Sequence, residues 1–349
     1  MKNKIKVSVV IPVYNVENFL KKAIESLIVQ TLKDMEFIFI NDGSTDNSLK
    51  IIEHYQKKDG RIKVINKKNE GAGIARNKGL ELATGDYIGF LDSDDQISKN
   101  FFEILYNKAK QNNYDIVQCN YCDKKDNKYS DKKYRFIRQE IEIKDKNRSE
   151  FINNYFLKYS YGGEVWSKIY KRKLLKSNNI YFEDNKKVFG EDLLFNLYCF
   201  FFAEKIGFID DALYYHSIRE GSLMHSKQND LVDRVLNIVF MFIKKSKELD
   251  LYDSISMSIP NLLYFVINFI ISTENEFKNK SNKLKQVCEK KFVKKRLKEI
   301  YINKSMNISR KYFIFLCYHK KYKLAIFQKK VINIVVKVLR KLKGVNYEV

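Results

Sequence analysis

The sequence predicts an α/β fold: a mostly parallel sheet flanked by helices, followed by a mainly helical, basic C-terminal region. Three observations carry this. Short β-branched runs alternate with segments of helical apolar spacing through the first hundred residues, as right-handed βαβ crossovers require. Polar and glycine-bearing clusters follow these runs directly, at the strand ends where such sheets bind ligands. Past residue 230 the strand pattern ceases and the charge changes. Residues 278–349 carry 22 Lys or Arg against three Glu, a net +19, which leaves +4 of the total +23 for residues 1–277.

Residues 7–11 open the sheet as a buried β-branched run. Val16, Phe19, Leu20, Ala23, Ile24, Leu27 and Ile28 then recur at helical spacing, with Asn15 placed to cap that helix. Residues 37–40 read as a second strand, 46–56 as a second helix, 61–65 as a third strand, 73–83 as a third helix and 87–91 as a fourth strand. From 101 to about 219, helices mix with shorter strands at 116–119, 207–209 and 213–216; helices follow at 231–246, 259–272 and 327–343. A polar stretch at 221–229 suggests two domains, 1–225 and 226–349.

Composition narrows the class. A hydrophobic share of 45% fits a folded chain. Five scattered cysteines argue for a reducing compartment, and the Cys119/Cys122 pair lies in a strand with no second pair at zinc spacing. Pro12 and Asn15 cut short the first apolar run, so no leader is expected. The best membrane-span candidate, 259–271, is interrupted by Pro260, Asn261 and Asn268 and is too short. The expected location is the cytoplasm.

The chemistry concentrates at strand ends. Asp92, Asp94 and Asp95 fall within four residues after the fourth strand. Such a cluster calls for a cation, and hard oxygen ligands suit Mg²⁺ or Mn²⁺ with phosphates completing the shell; a helix-capping acidic turn is the plain alternative. Pro12 and Tyr14 end the first strand with a backbone edge and a flat side chain that could pack on a base. Asp42 sits in a tight turn after the second strand, free to accept from a base N–H if Ser44 or Thr45 caps the next helix. Gly71 and Gly73 open a helix whose first amides favour an anion, and Arg76 adds positive charge. Glu191 and Asp192 form a second carboxylate centre at a helix start.

Together, Val9-Val-Ile-Pro-Val-Tyr-Asn15, Asn41-Asp-Gly-Ser-Thr-Asp46, Gly71-Ala-Gly-Ile-Ala-Arg-Asn77 and Asp92-Ser-Asp94 resemble the glycosyltransferase family 2 pattern. The resemblance covers roughly residues 5–220 and keeps the motif order. It implies the GT-A fold and an inverting, metal-dependent transferase. Such an enzyme moves one sugar from a nucleotide-sugar, UDP-linked, to a hydroxyl of a glycan or lipid-linked acceptor in cell-surface polysaccharide synthesis. It implies that Pro12, Tyr14, Glu17, Asp42 and Arg76 border the nucleotide, with Asp42 on uracil, that Asp92 lies near the ribose, and that Ser93 belongs to the nucleotide-sugar site. Asp94 would hold Mn²⁺ or Mg²⁺, with His216 as a further ligand and Arg219 on the diphosphate. Asp192 would be the base and Glu191 its orienting partner. The only tryptophan, Trp166, lacks the Gln-x-x-Arg-Trp element of the processive synthases, which favours single addition; it lines the acceptor side or the core. A nucleotidyltransferase would need a glycine-rich cationic loop after the first strand, where Pro12-Val-Tyr-Asn15 stands. A binding protein without activity differs in releasing no UDP.

The tail needs its own account. Residues 278–296 and 320–343 interleave cations with aromatic and aliphatic residues, and Val331, Ile334, Val335, Val338 and Leu342 share one helical face. That composition suits a helix lying on an anionic inner-membrane surface, or a bundle with a solvated basic face. Nucleic acid is not expected, since no recognition motif accompanies the charge. A homo-oligomer is left open.

Overall fold

The computed structural model describes residues 4–125, 128–129, 140–153, 163–218, 230–302 and 308–342. The first part runs β1 (Val7–Val13), α1 (Glu17–Ile28), β2 (Met35–Asp42), α2 (Ser48–Gln56), β3 (Ile62–Lys67), α3 (Ala72–Leu82) and β4 (Tyr87–Phe90). Then come β5 (Gln96–Ile97), α4 (Phe101–Gln111), β6 (Ile116–Lys125), β7 (Lys128–Tyr129), β8 (Ile141–Glu142), α5 (Asp145–Phe151), β9 (Lys168–Lys171), α6 (Arg172–Ser177), α7 (Glu191–Phe202) and β10 (Lys205–Ser217). The remainder is helical: α8 (Leu231–Glu248), α9 (Tyr252–Ile255), α10 (Ile259–Ser272), α11 (Phe277–Glu289), α12 (Lys291–Ile302), α13 (Ile308–Tyr318) and α14 (Tyr322–Leu342).

Among the described residues the strands form one sheet in the order β3-β2-β1-β4-β9-β6-β10-β5, with β7 on β6 and β8 on β10. The β3-β2-β1-β4 half is parallel, as the crossovers demand. β9 then enters antiparallel to both β4 and β6, and β6 and β10 are parallel again. The sheet is therefore mixed beyond β4.

Side-chain alternation along the strands splits the interior into two layers. Val9, Ile11, Phe37 and Phe39 pack with Leu20, Ile24 and Leu27 of α1 and with Phe101 and Leu105 of α4. Val10, Ile38, Ile40, Ile88 and Phe90 face the other way, toward Phe195 of α7. That second layer continues without a break through α8 and α10 to Leu284, Val287, Val293, Leu297, Phe313, Ile314 and Ile326. The basic C-terminal helices thus share a core with the sheet. The expected boundary at 221–229 lies outside the described residues.

Two local expectations need correction. The α1 cap is Val16, without a side-chain cap bond, and Asn15 adopts a left-handed φ of 50°. The first α1 amides are met instead from the loop after β2: Ser48 Oγ accepts from Val16 N and Asp46 Oδ2 from Glu17 N. The helical run Tyr252–Ser272 spans 21 residues and is apolar enough, by length and composition, to cross a membrane, so the shorter estimate of 259–271 is superseded. Its most apolar window is 61% buried inside the protein, the behaviour of a core helix.

Candidate active site

The strand ends are laced together before any ligand is considered. Asn15 Oδ1 accepts from Thr45 N at 2.8 Å, and Glu17 Oε2 accepts from Asn47 N at 2.9 Å. With the bonds that Val16 N and Glu17 N donate in the other direction, they lock the loop after β1 to the segment after β2. Tyr14, half exposed, projects from that junction.

Asp42 is buried at the end of β2 and accepts three donors: Lys67 Nζ at 2.7 Å, Glu70 N at 3.0 Å and Gly71 N at 2.8 Å. The anion favoured by the glycine-rich helix start is therefore supplied from within the chain. Gly73 N donates to Asn185 Oδ1 at 2.6 Å, and Asn77 exchanges two bonds with the backbone of Phe182. A Cβ on Gly73 would meet Glu183 O at 2.7 Å, so glycine is what lets α3 approach the segment before α7.

Arg76 is the centre of the site. Its side chain is 5% exposed and reaches three carboxylates from two distant segments: Asp92 at 2.9 Å through Nη2, and Asp192 at 2.9 Å and Glu191 at 3.3 Å through Nη1. The guanidinium also lies 5.4 Å from the Phe182 ring centroid. A planar fork with fixed donors can bridge carboxylates in this way, whereas a single ammonium cannot. The three carboxylates keep partial solvent access, at 30%, 15% and 22%. Burial pushes the Asp192 carboxyl up to about 8; Arg76 opposes this, while Glu191, Asp92 and Glu164 add to it.

The aspartate turn after β4 is held by β10. Tyr214 Oη donates to Asp95 Oδ2 at 2.7 Å and accepts from Asp92 N at 3.3 Å; Ser217 N donates to Asp95 Oδ1 at 2.7 Å. Burial, with Asp94 and Asp92 adding, holds the Asp95 carboxyl well above the ordinary range despite these donors. Trp166, buried, stacks on Tyr214 at 4.2 Å and on His216 at 5.7 Å. His216 Nδ1 lies 3.0 Å from Asp123 Oδ1, with its ring partly exposed. Lys168 of β9 is buried against Glu164, and burial lowers its ammonium from the ordinary value.

Among the described residues no three His, Cys, Asp or Glu side chains are grouped to hold a metal by themselves. Asp92 and Asp94 are partly exposed oxygen donors, of the kind a hard cation takes alongside substrate phosphates. Asp94 lies in the turn between Asp92 and Asp95.

The sequence model described as Glycosyl transferase family 2 matches residues 8–178. The chain is 30% identical over 247 residues to the glycosyltransferase GlyG of Streptococcus pneumoniae, covering 68% of this chain and 79% of that protein. It belongs to glycosyltransferase family 2. It is also 36% identical over 235 residues to EpsJ, an uncharacterized glycosyltransferase of Bacillus subtilis, and spans 66% of that relative's length. In architecture it is similar to residues 1–349 of S. aureus TarS, solved in complex with UDP-GlcNAc, with a TM-score of 0.68, 23% identity, and coverage of 98% of this chain and 93% of that one. The fold is accordingly GT-A-like, a mixed sheet with flanking helices and a helical C-terminal region.

Within that family 2 framework the structure brings four of the residues singled out in the sequence together. Asp92, Glu191 and Asp192 meet on Arg76, although 16 and 115–116 residues separate them from it. Two placements differ from expectation. Arg76 is engaged by carboxylates rather than presented as an open anion contact, and Glu17 is bound to the start of α2. Pro12 lies within β1, and Ser93 is buried in the aspartate turn. Arg219 lies outside the described residues. Sequence reasoning missed Asn185 and the roles of Tyr214 and Asp95; only the aromatic-rich run 213–216, read as a strand, hinted at an element facing the aspartates.

Proposed function

We propose that the protein is an inverting glycosyltransferase that moves one sugar from a UDP-sugar to a hydroxyl of a glycan or lipid-linked acceptor in cell-surface polysaccharide synthesis. The observation that carries this is the Arg76 bridge, which fixes Asp92 of the strand-end turn and Asp192 of α7 on opposite arms of one guanidinium. The TarS crystal structure with UDP-GlcNAc supports a nucleotide-sugar donor.

In this reading the nucleotide lies along the ends of β1, β2 and β4, against Tyr14 and Asp42. Asp42 Oδ1 is already shared by Lys67 and Glu70, so Oδ2 has the remaining capacity for a base N–H. Mn²⁺ or Mg²⁺, held by Asp94 with His216 as the second candidate, would supply charge stabilisation for the departing diphosphate. The acceptor oxygen bonds to the anomeric carbon as the bond to the diphosphate oxygen breaks, and Asp192 takes the hydroxyl proton. Arg76, which Glu191 also engages, holds that carboxylate in place. A base poised near 8 accepts a proton readily, and only its ionised fraction works. The cytoplasmic face of the membrane is where a lipid-linked acceptor would be met.

The test is label transfer from individual UDP-sugars to lipid-extractable acceptors, with the product's anomeric configuration read by NMR. Inversion with dependence on Asp192 supports the reading. Retention of configuration, or transfer undiminished in Asp192→Asn, contradicts it.

A further inference from the structure

The C-terminal helices differ in what they present to solvent. α11 and α12 follow the ordinary rule: Leu284, Val287, Val293 and Leu297 are buried, while Lys285, Lys291 and Lys295 face outward. α14 departs from it. Ala325 and Ile326 enter the core, yet on the far side of the same helix Leu324, Phe327 and Val331 are 54%, 56% and 41% exposed. Their i, i+3, i+7 spacing makes a continuous outward stripe. Ile308 and Tyr312 of the adjoining α13 are exposed as well. A helix apolar on two opposite sides is unfavourable in water unless something covers the second one.

The flanking charge indicates what that is. Lys323 and Lys330 are exposed along one edge of the stripe, and Lys320 and Lys321 are exposed at its start. No Asp or Glu occurs between Ile308 and Leu342. An apolar stripe whose own helix carries only cations is complementary to an anionic lipid surface, where acyl chains take the apolar residues and headgroup phosphates take the lysines; Glu289 of α11 lies near Tyr322 at its start. A second copy of this chain would bring the same cations against themselves.

We propose that the outward face of α14, with Ile308 and Tyr312 of α13, docks the protein on an anionic bilayer. This deepens the reading of a membrane-borne acceptor and rests on that reading for its purpose. Docking is measured without donor, so failure of docking and failure of transfer are separate results.

The experiment is co-sedimentation of the full chain with phosphatidylcholine vesicles, with and without phosphatidylglycerol. Binding to the anionic vesicles alone, weakened by salt, is expected. Lys323→Glu with Lys330→Glu is expected to weaken it at least about twentyfold, since each surface cation contributes about a fivefold factor. Leu324→Ser with Phe327→Ser should abolish it while far-UV circular dichroism and thermal midpoint are retained. If the serine pair unfolds the protein, Phe327→Trp decides: the emission of the introduced indole should shift to the blue on anionic vesicles, against the constant signal of buried Trp166. Equal binding by the variants, no binding at all, an unshifted emission in Phe327→Trp, or lipid-free self-association that the same substitutions dissolve would overturn the proposal.

Discussion

Replacing Arg76 perturbs the site at its centre. In Arg76→Met the three carboxylates keep their positions but lose the guanidinium that reaches all of them. Removing one partner of a buried ion pair costs about 3–5 kcal/mol, because the charge left behind is uncompensated. Here the carboxylates are 15–30% exposed, so water relieves part of the cost and the lower end, about 3 kcal/mol, is the expected loss in urea unfolding. Asp192 should titrate still higher, since Arg76 is what opposes its upward shift. Arg76→Lys separates stability from catalysis. An ammonium can retain one contact and recover part of the stability, but it cannot span Asp92 and Asp192 together. Misplacement of a reacting group by about 1 Å costs on the order of a hundredfold in rate, so turnover should fall far more than stability. A lysine variant with turnover near that of the parent chain, or a methionine variant as stable as it, would refute the bridge as the organising contact.

Other expectations follow from the same geometry. Asp192→Asn and Asp94→Ala should each remove transfer without lowering the thermal midpoint by more than a few degrees; substantial turnover in either variant takes that residue out of the reaction. The pH dependence of kcat/KM should rise through about 8 as Asp192 ionises, and a limb near 4 would contradict the raised carboxyl. For stability the sign is opposite: a carboxyl whose pKa is raised in the fold costs stability once ionised. Asp192→Asn should therefore gain on the parent chain as pH climbs from about 4 to about 8, which urea midpoints at several pH values would read. Gly73→Ala should destabilise by about 1–3 kcal/mol, because its Cβ meets the Glu183 carbonyl at 2.7 Å; an unchanged midpoint would argue against the close approach of α3.

The first four strands and three helices were legible because their signals are local. Continuous β-branched runs and 3.6-residue spacing placed β1 to β4 and α1 to α3 within a few residues. β9 was not legible: Lys168-Ile-Tyr-Lys171 alternates charge and apolar residues like an exposed edge, yet it lies mid-sheet with Lys168 buried on Glu164. The site was legible as an inventory of acids but not as an arrangement. Nothing local to Arg76 says that its partners come from Asp92 and from a helix more than a hundred residues on. Asp42 and Asn15 illustrate the same limit, since turn residues bond equally well to their own helix or to a neighbouring loop, and only the packing of adjacent strand ends decides which.

The most direct measurement is UDP release by the full chain from a panel of UDP-sugars with lipid-extractable acceptor supplied, with Mn²⁺ and with chelator, beside Asp192→Asn. The account predicts one donor whose turnover exceeds the variant's background and stops when the metal is removed. Release no greater than that background for every sugar tested, or release indifferent to both chelator and Asp192, would contradict it.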